Sequence, residues 1–159
     1  MDRTRESALQ QIAAELGFGI DSEVKIGGAY TPVVVHAGTA WVSGQVPRVG
    51  DQVVSTGRVG ADATLADAQR GARIGMVRAL VQLGRAAGGL DKVQQALKVG
   101  VFVQCAPDFT MHSEVGDAAS AVLLAVLGPE AGRHARTSIG VAQLPKNATV
   151  EVELTAAVG

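Results

Sequence analysis

Disulfide scaffolding is the first possibility this sequence excludes: it holds a single cysteine, Cys105, which has no intrachain partner. Aromatic residues are scarce at 3%, and 14 lysines and arginines face 15 acidic residues. Binding to nucleic acid draws on a basic track for phosphates or on rings that stack against bases, and neither is present. The chain also lacks an apolar run of about 18 residues and a charged-then-apolar leader, so no membrane partner is expected. These absences predict a soluble, cytoplasmic protein with no nucleic-acid partner.

What is present is small and apolar. Hydrophobic residues make up 47% of the chain and charged ones 18%, with 20 glycines. At 159 residues the chain can bury one core, and we read it as a single domain, 1–159, with a helical extension over about 1–19. So much apolar surface also leads us to expect self-association.

Ala8, Leu9, Ile12, Ala13 and Leu16 recur at helical spacing until Gly17. TPVVVH (31–36) and TAWVSGQVP (39–47) predict a tight hairpin about Ala37-Gly38, and DQVVSTG (51–57) a third strand. Thr64 with Asp67 three residues on opens a helix whose stripe, Ala68, Ala72, Met76, Leu80 and Leu83, runs to Gly84. ALKVGVFVQCA (96–106) reads as a buried strand, and Val115 to Val126 as a further helix ended by Gly128-Pro129. The order is roughly α-β-β-β-α-β-α-β-β. It fits an α+β layer with helices on one sheet face and the other face left for a partner.

The last stretch, HARTSIGVAQLPKNATVEVEL (134–154), reads as a hairpin turning at Leu144 to Asn147. Side chains alternate along a strand, and matching apolar with apolar places Arg136, Ser138, Gly140, Glu151 and Glu153 on one shared face. Charges on an open face are commonly just solvated. Here the small Ser138 and Gly140 would leave a groove around them. The register sets Glu153 diagonal to Arg136 at about 7–8 Å and Glu151 roughly 13 Å away along the strand. Arg136 and Glu151 could then share a pocket only if a neighbouring subunit joined them.

These residues, with WVSGQVP (41–47), Gly28-Ala29-Tyr30 and VFVQCAPDF (101–109), resemble the Rid family of reactive imine and enamine deaminases, earlier catalogued as L-PSP endoribonucleases. The resemblance spans about residues 20 to 157, and the N-terminal helix is like that of the family's longer branch. It implies a chorismate-mutase-like α+β fold, a mixed sheet with helices packed on one face, assembled as a homotrimer with clefts between subunits. It further implies that Arg136 grips the carboxylate of a 2-imino acid, that Glu151 positions or activates water, and that Tyr30 and Ser43 line the cleft. A guanidinium holds a carboxylate through two parallel hydrogen bonds, and the activated imine carbon then needs only water and a base. No metal or organic cofactor is implied.

Two positions depart from the deaminase pattern. Ser138 stands where a cysteine is common, and Asp117 is the nearest match to a cleft asparagine, adding a carboxylate that would repel an acidic substrate. His36, His112, His134 and Cys105 show no metal-ligand spacing. Ser43 lacks the elbow of a nucleophilic serine, and Trp41 and Phe102 read as packing residues. Hydrolysis of small imino acids is the function this reading supports. A non-catalytic trimeric protein binding small carboxylates is the alternative, and the ribonuclease label lacks the basic track it needs.

Overall fold

The computed structural model describes residues 4–21 and 24–159, so residues 1–3 of the expected extension lie outside it. Helix α1 (Arg5–Glu15) is capped by the Thr4 side chain and buries Ala8, Leu9, Ile12 and Ala13. Helix α2 (Leu65–Ala87) opens with the capping box its sequence predicts. The Thr64 hydroxyl accepts from the Asp67 N–H at 3.1 Å, and the Asp67 carboxylate accepts from the Thr64 N–H at 2.8 Å. It closes on Gly88, whose φ of 83° lies in the left-handed region. Helix α3 spans His112–Ala131, and the Gly128-Pro129 pair breaks it instead of ending it. Gly128 turns out of the helix at φ 88°, and Pro129 then starts a final turn where its missing N–H costs nothing.

Strands β1 (Val33–His36) and β2 (Thr39–Gln45) form the expected hairpin, with Ala37 and Gly38 both at positive φ. The predicted third strand does not join the sheet. β3 (Arg48–Val49) and β4 (Gln52–Val53) pair only with each other. The chain then turns under the start of α2, where the Ser55 hydroxyl bonds Asp67 O at 3.0 Å and lies 2.7 Å from the Thr149 hydroxyl.

The main sheet has the order β1-β2-β7-β5-β6, with β5 Val93–Gln104, β6 Ala135–Val141 and β7 Val150–Val158. The final two strands are therefore not a hairpin. β5 stands between them, parallel to β6 and antiparallel to β7. This overturns the shared polar face. Val99 pairs with both Arg136 and Leu154, whereas Phe102 pairs with both Ile139 and Glu151. Paired residues point the same way, so Arg136, Ser138 and Gly140 lie on the helix side and Glu151 and Glu153 on the opposite side. Matching apolar with apolar failed because β6 is an edge strand: it leaves Ile139 45% exposed and takes its cover on the other side from α3.

Helices α2 and α3 cover one sheet face, and α1 packs on both. α2 comes close because it carries glycine at the contact: a Cβ on Gly75 would sit 2.8 Å from Val152 Cγ2 and 2.9 Å from Gln45 O. The opposite sheet face stays open and holds Val34, Trp41 and Ile139 among its exposed apolar residues. Among the described residues no helix is long and apolar enough to cross a membrane.

Candidate active site

A cleft of about 460 Å³ opens where the end of β2, the start of β7 and the segment before β1 meet; Tyr30, Ser43 and Glu151 all line it. Its shape begins with an irregularity in β2. Between the pairs Val42–Leu154 and Gln45–Val152, β2 advances three residues while β7 advances two, so Ser43-Gly44 forms a β-bulge. Bulges re-aim side chains and interrupt a ladder. Here the bulge turns the Ser43 hydroxyl toward Gln45, whose amide donates to it at 3.3 Å and to Ser43 O at 3.0 Å.

Gly44 makes room for the acid. A Cβ there would lie 1.9 Å from Glu151 Oε1 and 2.7 Å from Glu151 Cδ. The Glu151 carboxylate thus rests on the bare backbone of the neighbouring strand. It is partly buried, and burial, with a smaller effect from the Glu153 charge, raises its pKa above the ordinary 4.5. A carboxylate tuned upward is suited to take a proton from water and return it.

The raised value has a consequence for stability. A group whose pKa is higher in the folded than in the unfolded protein contributes stability that is complete below the unfolded value and is lost as pH rises through the folded one. Wild type should therefore lose stability as pH climbs through the range above 4.5 where folded Glu151 ionises. Glu151→Gln should lack that component and be the more stable protein at neutral pH. Urea denaturation of both proteins across that range checks this; parallel curves would contradict it.

Arg136, Ser138 and Asp117 gather elsewhere, beneath α3. The Arg136 guanidinium donates from Nη1 to Asp117 Oδ1 and Ser120 Oγ, each at 2.9 Å, and from Nη2 to Ser113 O at 3.2 Å. Its partner is thus Asp117, not Glu153. The Arg136 side chain is 20% exposed and that of Asp117 70%. Ser120 also lies 2.8 Å from His134 Nε2, extending the network. Ser138 Oγ is buried under Gly116 without a hydrogen-bond partner among the described residues. The six expected site residues thus form two separate clusters on opposite sides of the sheet.

Ten further residues line the cleft that the sequence reading did not single out as site residues, and five of them, Gly44, Gln45, Arg48, Arg78 and Lys146, shape or charge it. Arg78 left a signal. Ile74, Arg78 and Gln82 follow one another at four-residue spacing and all are buried, so two polar side chains occupy an inward-facing row of α2. The other four carry no pattern that separates them from ordinary turn and strand residues.

An α+β layer with one open sheet face and an acid-bearing cleft at the bulged end of β2 defines the class of this protein. Residues 9–158 match the family described as "YjgF/chorismate mutase-like, putative endoribonuclease", and the chain belongs to that family. Protein TCP17 of Trypanosoma cruzi is 44% identical over 112 residues, 70% of each chain. The crystal structure of protein Atu1372 from Agrobacterium tumefaciens is similar at 34% identity and a TM-score of 0.85, covering 97% of this chain and 94% of that one. A structure from Shewanella oneidensis, described as a "putative endoribonuclease", is similar at 27% identity and a TM-score of 0.87 over 98% and 99% of the two chains.

Proposed function

We propose that the protein hydrolyses the C=N bond of small 2-imino acids, and of their enamine tautomers, to 2-oxo acids and ammonia, in clefts completed by neighbouring copies of a homotrimer. The observation that carries this reading is the Glu151 carboxylate, seated over Gly44 in a cleft beside Tyr30 and Ser43, with its pKa raised by burial. Glu151 takes a proton from water as the oxygen adds to the imine carbon. That proton reaches nitrogen to give the neutral carbinolamine, and Glu151 then relays the hydroxyl proton to the amino nitrogen as the C–N bond breaks, forming C=O and releasing ammonia. One water is consumed per imine, and Glu151 ends in its starting state.

Arg136 of a neighbouring copy supplies the carboxylate grip. Its contacts to α3 use three of the five guanidinium N–H groups, and among the described residues the other two are left for a ligand. Its place on edge strand β6 makes it available to a second subunit, while its place across the sheet from Glu151 keeps it from the same subunit's cleft. Exposed Trp41, Val34 and Ile139 on the open face support burial against another copy.

The test is ammonia release from freshly generated 2-iminopropionate. The expected result is release well above the spontaneous rate. Ligand-induced thermal stabilisation by a 2-oxo acid, with no acceleration for any imine, would instead establish a non-catalytic binding protein, a reading favoured by the Asp117 charge that already offsets Arg136. Cleavage of RNA that is lost in Glu151→Gln would favour the endoribonuclease named in the family description.

A further inference from the structure

We propose that the substrate side chain carries a second anionic group, as in 2-iminoglutarate, and that Arg48, Arg78 and Lys146 receive it. The inference rests on the deaminase reading for its reaction and adds what the side chain must be. Overall the chain carries a net charge of −1, yet among the described residues the cleft lining sets Lys25, Arg48, Arg78 and Lys146 against Glu151 alone. Lys25 is paired with Asp51. Among the described residues no carboxylate oxygen comes within 4.0 Å of the other three cations.

Arg78 is the most telling of them. It is 6% exposed, and its guanidinium donates to Arg48 O at 3.1 Å and Lys25 O at 2.9 Å, leaving Nε with no acceptor among the described residues. Buried cations are ordinarily paired with an acid. Here carbonyl dipoles fix the group and its full charge remains. Burial, and after it the Arg48 charge, pulls the Arg78 pKa down to about 10, while Tyr30 acts the other way. Among the described residues the cleft floor is thus short of negative charge, and a low-dielectric wall concentrates its field on whatever enters.

Arg48 and Lys146 extend this positive end outward. Both also line an adjoining open depression of about 510 Å³ with Asp51, Gln52 and Val53, which leaves room for a side-chain group beyond the reacting carbon. Lys146 sits in the 3-10 turn Pro145–Asn147 at φ 56°, so its backbone is held in a left-handed conformation at the rim. Glu151, the one acid among the described lining residues, has its own charge disfavoured by burial and so opposes an incoming anion less.

The experiment compares 2-iminoglutarate with 2-iminopentanoate, generated in place from glutamate and norvaline by amino-acid oxidases. In parallel, thermal shifts are measured with 2-oxoglutarate and 2-oxopentanoate. The expected kcat/KM is higher for the dianion by about tenfold or more, with the larger thermal shift from 2-oxoglutarate. In Lys146→Glu, an exposed substitution, the ratio of the two kcat/KM values should fall by about tenfold. Turnover of both imines with equal efficiency, or with the monoanion preferred, overturns this inference and leaves the deaminase reading intact. No turnover of either imine, but a larger shift with 2-oxoglutarate, overturns that reading while the anion site stands. No turnover and equal shifts overturn both.

Discussion

Replacing Glu151 with glutamine should lower kcat for imine hydrolysis by about 10²–10⁴-fold, the usual range for losing a positioned general base. The amide keeps the shape of the carboxylate but cannot accept the proton of water. Gly44→Ala should produce a loss of the same order by a different route. Its new Cβ would lie 1.9 Å from Glu151 Oε1, and the flexible end of the glutamate must swing away. Displacing a flexible side chain costs little stability, so Gly44→Ala should unfold near the wild-type midpoint and still show that loss of kcat. Single-turnover measurements on both variants check this. Full activity in Gly44→Ala would mean that the cradled position of the carboxylate is not the working one.

Arg136→Ala should reduce kcat/KM by about 10²-fold or more, the range seen when one member of a hydrogen-bonded charge pair is removed. The loss should appear in both KM and kcat if the guanidinium grips the carboxylate as proposed, since that grip would orient the substrate as well as hold it. Arg136→Lys should recover only part of it, since a point charge lacks the planar fork. The Ala variant should also be less stable: it gives up three hydrogen bonds that tie α3 to edge strand β6. A stability loss with unchanged kinetics would assign Arg136 the structural role alone, with Asp117 as its only charge partner.

The contrast between these two residues also shows which parts of the molecule the sequence makes legible. Local features are readable: the Thr64–Asp67 capping box and the Ala37-Gly38 turn are set by neighbouring residues, and both stand as expected. The pairing of β6 and β7 is not. Both strands are neighbours of β5 across long stretches of chain, and a parallel partner leaves no mark on the alternation of a strand. Arg136 and Glu151 could be singled out as residue types from their resemblance to the Rid pattern, but the face each occupies depended on a strand inserted between them. Gly44 was invisible for a related reason. Its significance lies in the Glu151 side chain of another strand, more than a hundred residues away.

The claim on which the functional account turns is that each working cleft takes Glu151 from one subunit and Arg136 from its neighbour. Co-expression of Arg136→Ala and Glu151→Gln chains, followed by purification of mixed oligomers, tests it most directly. Each variant alone should be nearly inactive. In random mixtures a cleft joining an intact Arg136 to an intact Glu151 arises about a quarter of the time, so ammonia release should return to about one quarter of the wild-type rate. Mixed oligomers no more active than the separate variants would contradict a site shared between subunits.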